Sequence, residues 1–88
     1  MRRHQAFVKK YLAGWVRAVR KKMGLTQEKM SESLRMSVRS YTDIERGKSG
    51  FSATTLLFLL SLLPDEEIVR LVHEFRESIK NEEEHEAV

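Results

Sequence analysis

Arginine and lysine are the chemically capable side chains that cluster most densely in this sequence. Residues 1–22 carry eight of them and no acid, a local charge of +8; residues 23–50 sum to +1 and residues 51–88 to −6, giving +3 over the 88 residues. A guanidinium offers a planar fork of donors that fits a phosphate or a base edge, and an ammonium is a strong point charge. Such a gradient places a positive field at one end of the domain that attracts a polyanion, nucleic acid first among them, and a negative field at the other that repels it. The competing reading is that these long side chains merely solvate an amphipathic helix.

Other chemistries find little support. Cysteine is absent, which removes disulfide frameworks, thiolate zinc sites and cysteine nucleophiles together. His73 and Glu77 stand four apart but lack a third ligand, so no metal site and no cofactor are expected. Serines and aspartates occur without a base in a recognisable arrangement, and there is no glycine-rich phosphate loop, so the chain is not expected to be an enzyme. Tyr11 and Trp15, at helical spacing, suit a core or an interface better than a base-stacking platform. The basic N-terminus lacks a signal-peptide core, and the longest apolar run, Leu56 to Leu63, is interrupted by Ser61 and is far too short to span a membrane, so a cytoplasmic protein is expected.

The elements that must position the cations follow from periodicity. Phe7, Val8, Tyr11, Leu12, Trp15, Val16, Val19 and Met23 recur at steps of three and four, predicting a helix from about Gln5 to Lys22 that Gly24 closes. Thr26 caps a second helix with Met30 and Leu34 on its inner face, and Ser37 caps a third, Val38 to about Arg46, ended by Gly47. Ser52 starts a fourth helix whose leucines run almost all round it. Pro64 opens a fifth, acidic in its first turn, with Ile68, Leu71, Val72, Phe75 and Ile79 on one stripe. Residues 1–80 are therefore expected to form one all-α domain of five helices, and 81–88 an acidic, frayed tail.

The stretch GLTQEKMSESLRMSVRSYTDIERG, Gly24 to Gly47, closely resembles the helix-turn-helix of the Cro and phage-repressor (XRE-like) DNA-binding family. The likeness extends over roughly residues 12–63: Val16, Val19 and Arg20 match the first helix, and Gly24-Leu25-Thr26-Gln27 and Ile44-Glu45-Arg46-Gly47 are its most specific parts. It implies a lambda-repressor-like fold in which helices 2 and 3 form the motif, about residues 26–46. A major groove about 12 Å wide admits one helix, held with its N-terminal end toward the bases by another crossing behind it. A short turn between two short helices suits that geometry.

By the same resemblance Val38, Arg39, Ser40 and Asp43 occupy base-reading positions: Arg39 for guanine, Val38 for a thymine methyl, Asp43 for cytosine N4. Thr26, Gln27, Arg46 and Lys48 are expected at phosphates, and Arg20 and Glu45 are expected to pair between helices one and three. Three positions depart from the family pattern. Ser31 replaces Ala, Arg35 replaces a turn Gly, and Phe51 replaces Pro. Phe58 takes a usually polar place; if it and Leu62 are exposed, they form with Leu71 and Phe75 a surface for a homodimer, the competing reading being that helix five caps the domain's own core. A double-stranded operator is thus the expected partner, and a transcriptional regulator, specifically a repressor, the expected function. The alternative is an antitoxin-like or other protein-interaction module using helices 4 and 5 to hold a toxin, polymerase or another protein.

Overall fold

The computed structural model describes the backbone of residues 2–87 and the side chains of residues 4–84. It consists of α1 (Arg2–Lys22), α2 (Gln27–Ser33), α3 (Val38–Glu45), α4 (Ala53–Ser61) and α5 (Asp65–Ala87). The hydroxyls of Thr26, Ser37 and Ser52 each accept the amide three residues ahead at 3.1 Å, so every short helix starts on a side-chain cap. The ends of α1, α2 and α3 share one closure. Leu25 N donates to Arg20 O, Met36 N to Ser31 O and Lys48 N to Asp43 O, each pair enclosing a left-handed residue: Gly24, Arg35 and Gly47.

Arg35 is the exception among the three, with φ +58° and a Cβ that makes this conformation costly by about 1–2 kcal/mol. The left-handed conformation that the resemblance leads one to expect of a glycine is kept despite the residue. Its guanidinium lies over the Phe58 ring, 4.2 Å from the centroid, and so ties the α2–α3 turn to α4. Ser31 is buried, but its hydroxyl donates to Glu28 O at 2.7 Å and therefore leaves no polar atom unpaired. Phe51 packs against the core from the loop before α4.

That core is Val16 and Val19 of α1, Met30 of α2, Tyr41 and Ile44 of α3 and Leu59 of α4, with Leu34 and Leu63 from the adjoining turns. Helix α5 lies antiparallel to α1. Lys22 meets Glu67 at one end of the pair, Tyr11 packs edge-on against Phe75 along it, and Phe7 lies against the same ring further on. Two expectations are corrected here. The acidic segment continues α5 to Ala87 instead of fraying after Lys80, because glutamate and alanine propagate a helix without needing a buried stripe; Val88 lies outside the described residues. Nor is the basic end of the sequence remote from the acidic end, since the chain doubles back and sets them side by side.

Both Arg35→Ala and Arg35→Gly lose the stacking on Phe58, but only glycine relieves the backbone. Arg35→Gly is expected to be the more stable of the two by about 1 kcal/mol, melting about 4–8 °C higher. Thermal unfolding followed by circular dichroism measures this directly; coincident melting curves would mean that the turn stores no strain.

Candidate nucleic-acid interface

Helix α3 divides its residues between two sides. Tyr41, Ile44 and Glu45 are buried, whereas Val38, Arg39, Ser40 and Arg46 are exposed and Thr42 and Asp43 half-buried. Val38 is 39% exposed at the first position of the helix, an apolar group left in water where the chain begins to turn inward. The Ser40 hydroxyl lies 2.9 Å from that of Ser37, so it completes the cap while remaining at the surface. Asp43 and Ser40 line a shallow groove of mixed character with Met36, Ile44, Ser49, Gly50, Ser52 and Thr55. Arg39, Arg46 and the exposed Lys48 form none of the ion pairs found among the described residues, which leaves three cations on and beside this helix available to an anion.

What aims the helix is the Glu45 carboxylate. Arg20 Nε donates to Oε2 at 2.6 Å and Nη2 to Oε1 at 3.3 Å, Gln27 Nε2 donates to Oε1 at 3.0 Å, and the Tyr41 hydroxyl donates to Oε2. Helices α1, α2 and α3 are thereby fastened at one anion. Arg20 also donates to Leu25 O at 2.9 Å, and Arg17 to Glu45 O at 2.6 Å. A side-chain fork and a backbone carbonyl at the end of α3 thus both face α1.

A family model described as Helix-turn-helix matches residues 16–69. The chain belongs to the Cro and phage-repressor helix-turn-helix family. It is accordingly a DNA-binding helix-turn-helix protein. Searches among curated proteins and solved structures found no match. The family match leaves residues 2–15 of α1 and 70–87 of α5 outside it. Among the described residues no helix is long and apolar enough to cross a membrane.

The expected site residues fall into three groups around this helix-turn-helix. Val38, Arg39, Ser40, Arg46 and Lys48 are gathered on the exposed side of α3 and the loop that follows. Thr26 and Gln27 stand at the start of α2; the Thr26 hydroxyl accepts the cap bond and keeps its O–H, and Gln27 Nε2 gives one N–H to Glu45 and keeps the other, so each has a side-chain donor and the backbone of that first turn to offer a phosphate. The proposed dimer surface needs correction. Phe58 is covered by Arg35, Leu71 is only 9% exposed, and Phe75 is half-buried among Phe7 and Tyr11; only Leu62 of the four remains open. Helix five does cap its own core. Arg17 was missed as a positioning residue, since a bond to a backbone carbonyl has no sequence signature.

Glu45 and Tyr41 give the fold a pH window. Burial by itself raises the Glu45 pKa, but the hydrogen bonds from Arg20, Tyr41 and Gln27 outweigh it and hold the carboxyl below its ordinary 4.5. Burial, and then the bond to Glu45, push the Tyr41 phenol well above its ordinary 10.0. A depressed acid stabilises the fold above the unfolded value, and the gain is lost as pH falls through the folded one. A raised phenol stabilises the fold up to the unfolded value, and that gain is lost as pH climbs toward the folded one. Stability is expected to be flat near neutrality and to fall below about pH 4.5 and above about pH 10. Glu67 adds to the acid side through its hydrogen bond to Lys22, and Tyr11 to the alkaline side through burial and the nearby Glu74. In urea titrations across pH, Tyr41→Phe should flatten the alkaline fall. Glu45→Gln should flatten the acid one while costing about 3–5 kcal/mol at neutral pH, because Arg20 is left without its anion.

Proposed function

We propose that this protein is a sequence-specific double-stranded DNA-binding transcriptional repressor that inserts α3 into the major groove. The reading is carried by one observation: the exposed N-terminal end of α3, with Val38, Arg39 and Ser40 at the surface, sits on a helix whose opposite side is locked to α1 and α2 through Glu45. Base edges are read from that end, Arg39 forking onto guanine and Val38 meeting a thymine methyl. Asp43 accepts from cytosine N4 where one is present and otherwise rejects a phosphate, which makes it a filter as much as a contact. Arg46, Lys48 and the first turn of α2 at Thr26 and Gln27 hold the flanking phosphates.

Residues 1–80 act in this reading as one domain in the cytoplasm, and two copies read a two-fold operator whose half-sites are about 34 Å apart. Repression then needs no catalysis, only occupancy of a promoter. The alternative, a partner-binding module acting through α4 and α5, rests on the apolar residues those helices leave exposed, Leu57, Val69 and Val72. It requires a second protein to co-purify stoichiometrically without promoter DNA.

Selection from genomic fragments with purified protein, followed by gel-shift titration, tests the DNA reading. Affinity for the selected duplex should fall steeply with salt as counterions are released. Arg39→Ala should cost about 1–3 kcal/mol and relax one base position, whereas Lys48→Ala should weaken all duplexes alike and lower the salt slope by about one. A protein that prefers no duplex over random DNA at physiological salt is not a sequence-specific regulator.

A further inference from the structure

Helices α1 and α5 both extend past the stretch matched by the family model, and the furrow where they run side by side is open beside α4. Val8, Tyr11 and Leu12 line it from α1, Leu71, Val72 and Phe75 from α5, and Leu56 from α4. Only Leu56 of these lies within residues 16–69, so the groove belongs to what this chain adds to the family domain. It holds about 210 Å³ and is lined by apolar atoms alone: the Tyr11 hydroxyl is directed to Leu71 O at 3.5 Å, which leaves only its ring in the wall. At about 30 Å³ each, about seven waters fill such a volume. Water placed there finds no protein group to bond, so an apolar ligand that displaces it is favoured.

The charge around the groove defines the other end of that ligand. At Val8 the groove meets a second depression bordered by His4, Gln5 and Lys9, and at Val72 a third bordered by His73 and Arg76. Lys9 and Arg76 are exposed and form none of the ion pairs found among the described residues. The nearest acids lie elsewhere. Glu82 lines with Lys10 a separate groove that shares only Tyr11 with this one, and Glu74 acts on the Tyr11 hydroxyl. The Lys9 stem lies along the loop before α4, its Cγ 3.6 Å from where a Cβ on Gly50 would stand, so its ammonium is tethered beside the Val8 end. One ammonium balances one carboxylate, whereas a doubly charged phosphate would be left half neutralised. A furrow between two packed helices is narrow, and its volume takes an unbranched chain of about seven carbons. We infer that this furrow binds a medium-chain alkyl carboxylate, its chain against Val8, Leu12, Leu56 and Val72 and its carboxylate on the Lys9 ammonium. So short a chain gives little hold on a bilayer, which makes the free acid the occupant and not a membrane lipid. The groove shares no residue with α3, and the inference does not depend on the proposed function.

A methyl-resolved NMR titration of the full chain with octanoate, without DNA, tests it. Octanoate should saturate with a Kd on the order of 1 mM or tighter and shift the methyls of Val8, Leu12, Leu56 and Val72. Each methylene added from butanoate to octanoate should tighten binding about two- to fourfold. Decanoate should gain little more, its chain having outgrown the groove. Lys9→Glu should weaken octanoate about tenfold or more and admit octylammonium, which the parent rejects, at the same methyls; a variant that had merely unfolded would bind neither there. Val72→Trp, at a half-exposed position, should fill the groove and block octanoate. Octanoate that leaves these methyls unmoved, that binds the parent no better than octylammonium, or that is indifferent to Lys9→Glu overturns the inference.

Discussion

Three helices converge on one carboxylate. Glu45 is the last residue of α3, and its two oxygens receive Arg20 from α1, Gln27 from the start of α2 and Tyr41 from one turn earlier in α3. Helices of seven and eight residues bury too little surface to fix their own crossing angle by packing alone. A single anion with directional donors on each neighbour supplies what packing cannot, a defined angle between α2 and α3. The cost is dependence: with Glu45 only 5% exposed, losing any donor leaves a charge or a polar group unsatisfied in a nearly dry place.

Much of this was legible in the chain because it is written in local chemistry. Thr26, Ser37 and Ser52 are caps wherever they stand before a helix, Gly24 and Gly47 mark left-handed ends, and the apolar steps of three and four gave most of the inner faces of α1, α3 and α5, Met23 and Val72 being the members of those stripes that the fold leaves exposed. The parts that were not legible depend on what lies across the fold. Phe58 reads as an exposed apolar anomaly until Arg35 is seen to cover it, and Leu71 and Phe75 read as interface until α1 is seen to run beside them. The extension of α5 past Lys80 was hidden because periodicity detects burial, and a helix propagating into solvent has none to show. At the site, exposure of Val38, Arg39 and Ser40 followed from the face pattern of α3, whereas the engagement of Gln27 with Glu45 required the fold.

Charge was the most misleading signal when taken along the sequence. A run of eight cations followed much later by nine acids suggests a molecule with opposite poles. The antiparallel packing of α5 on α1 instead brings the two together, with Lys22 on Glu67 and Lys10 and Glu82 lining one groove. Part of the basic charge of α1 is thereby neutralised locally and does not reach a distant polyanion. In the proposed reading the cations left to meet DNA are ones that α5 does not neutralise, Arg39, Arg46 and Lys48 among them.

In the proposed reading this division separates what the fold needs from what meets an operator. The residues that lock α3 in place, Tyr41, Ile44 and Glu45, occupy one side of it, and Arg39, Asp43 and Arg46 occupy the other. Only Ser40 touches both roles, through its hydroxyl contact with the Ser37 cap. On that same reading, substitution at Val38 or Arg39 changes which bases are met and leaves the position of the helix alone, whereas substitution at Gln27 removes a donor that fixes the helix and chooses no base. Specificity on such a scaffold can change one side chain at a time, because the interaction that fixes the geometry shares almost no atoms with those that read the sequence.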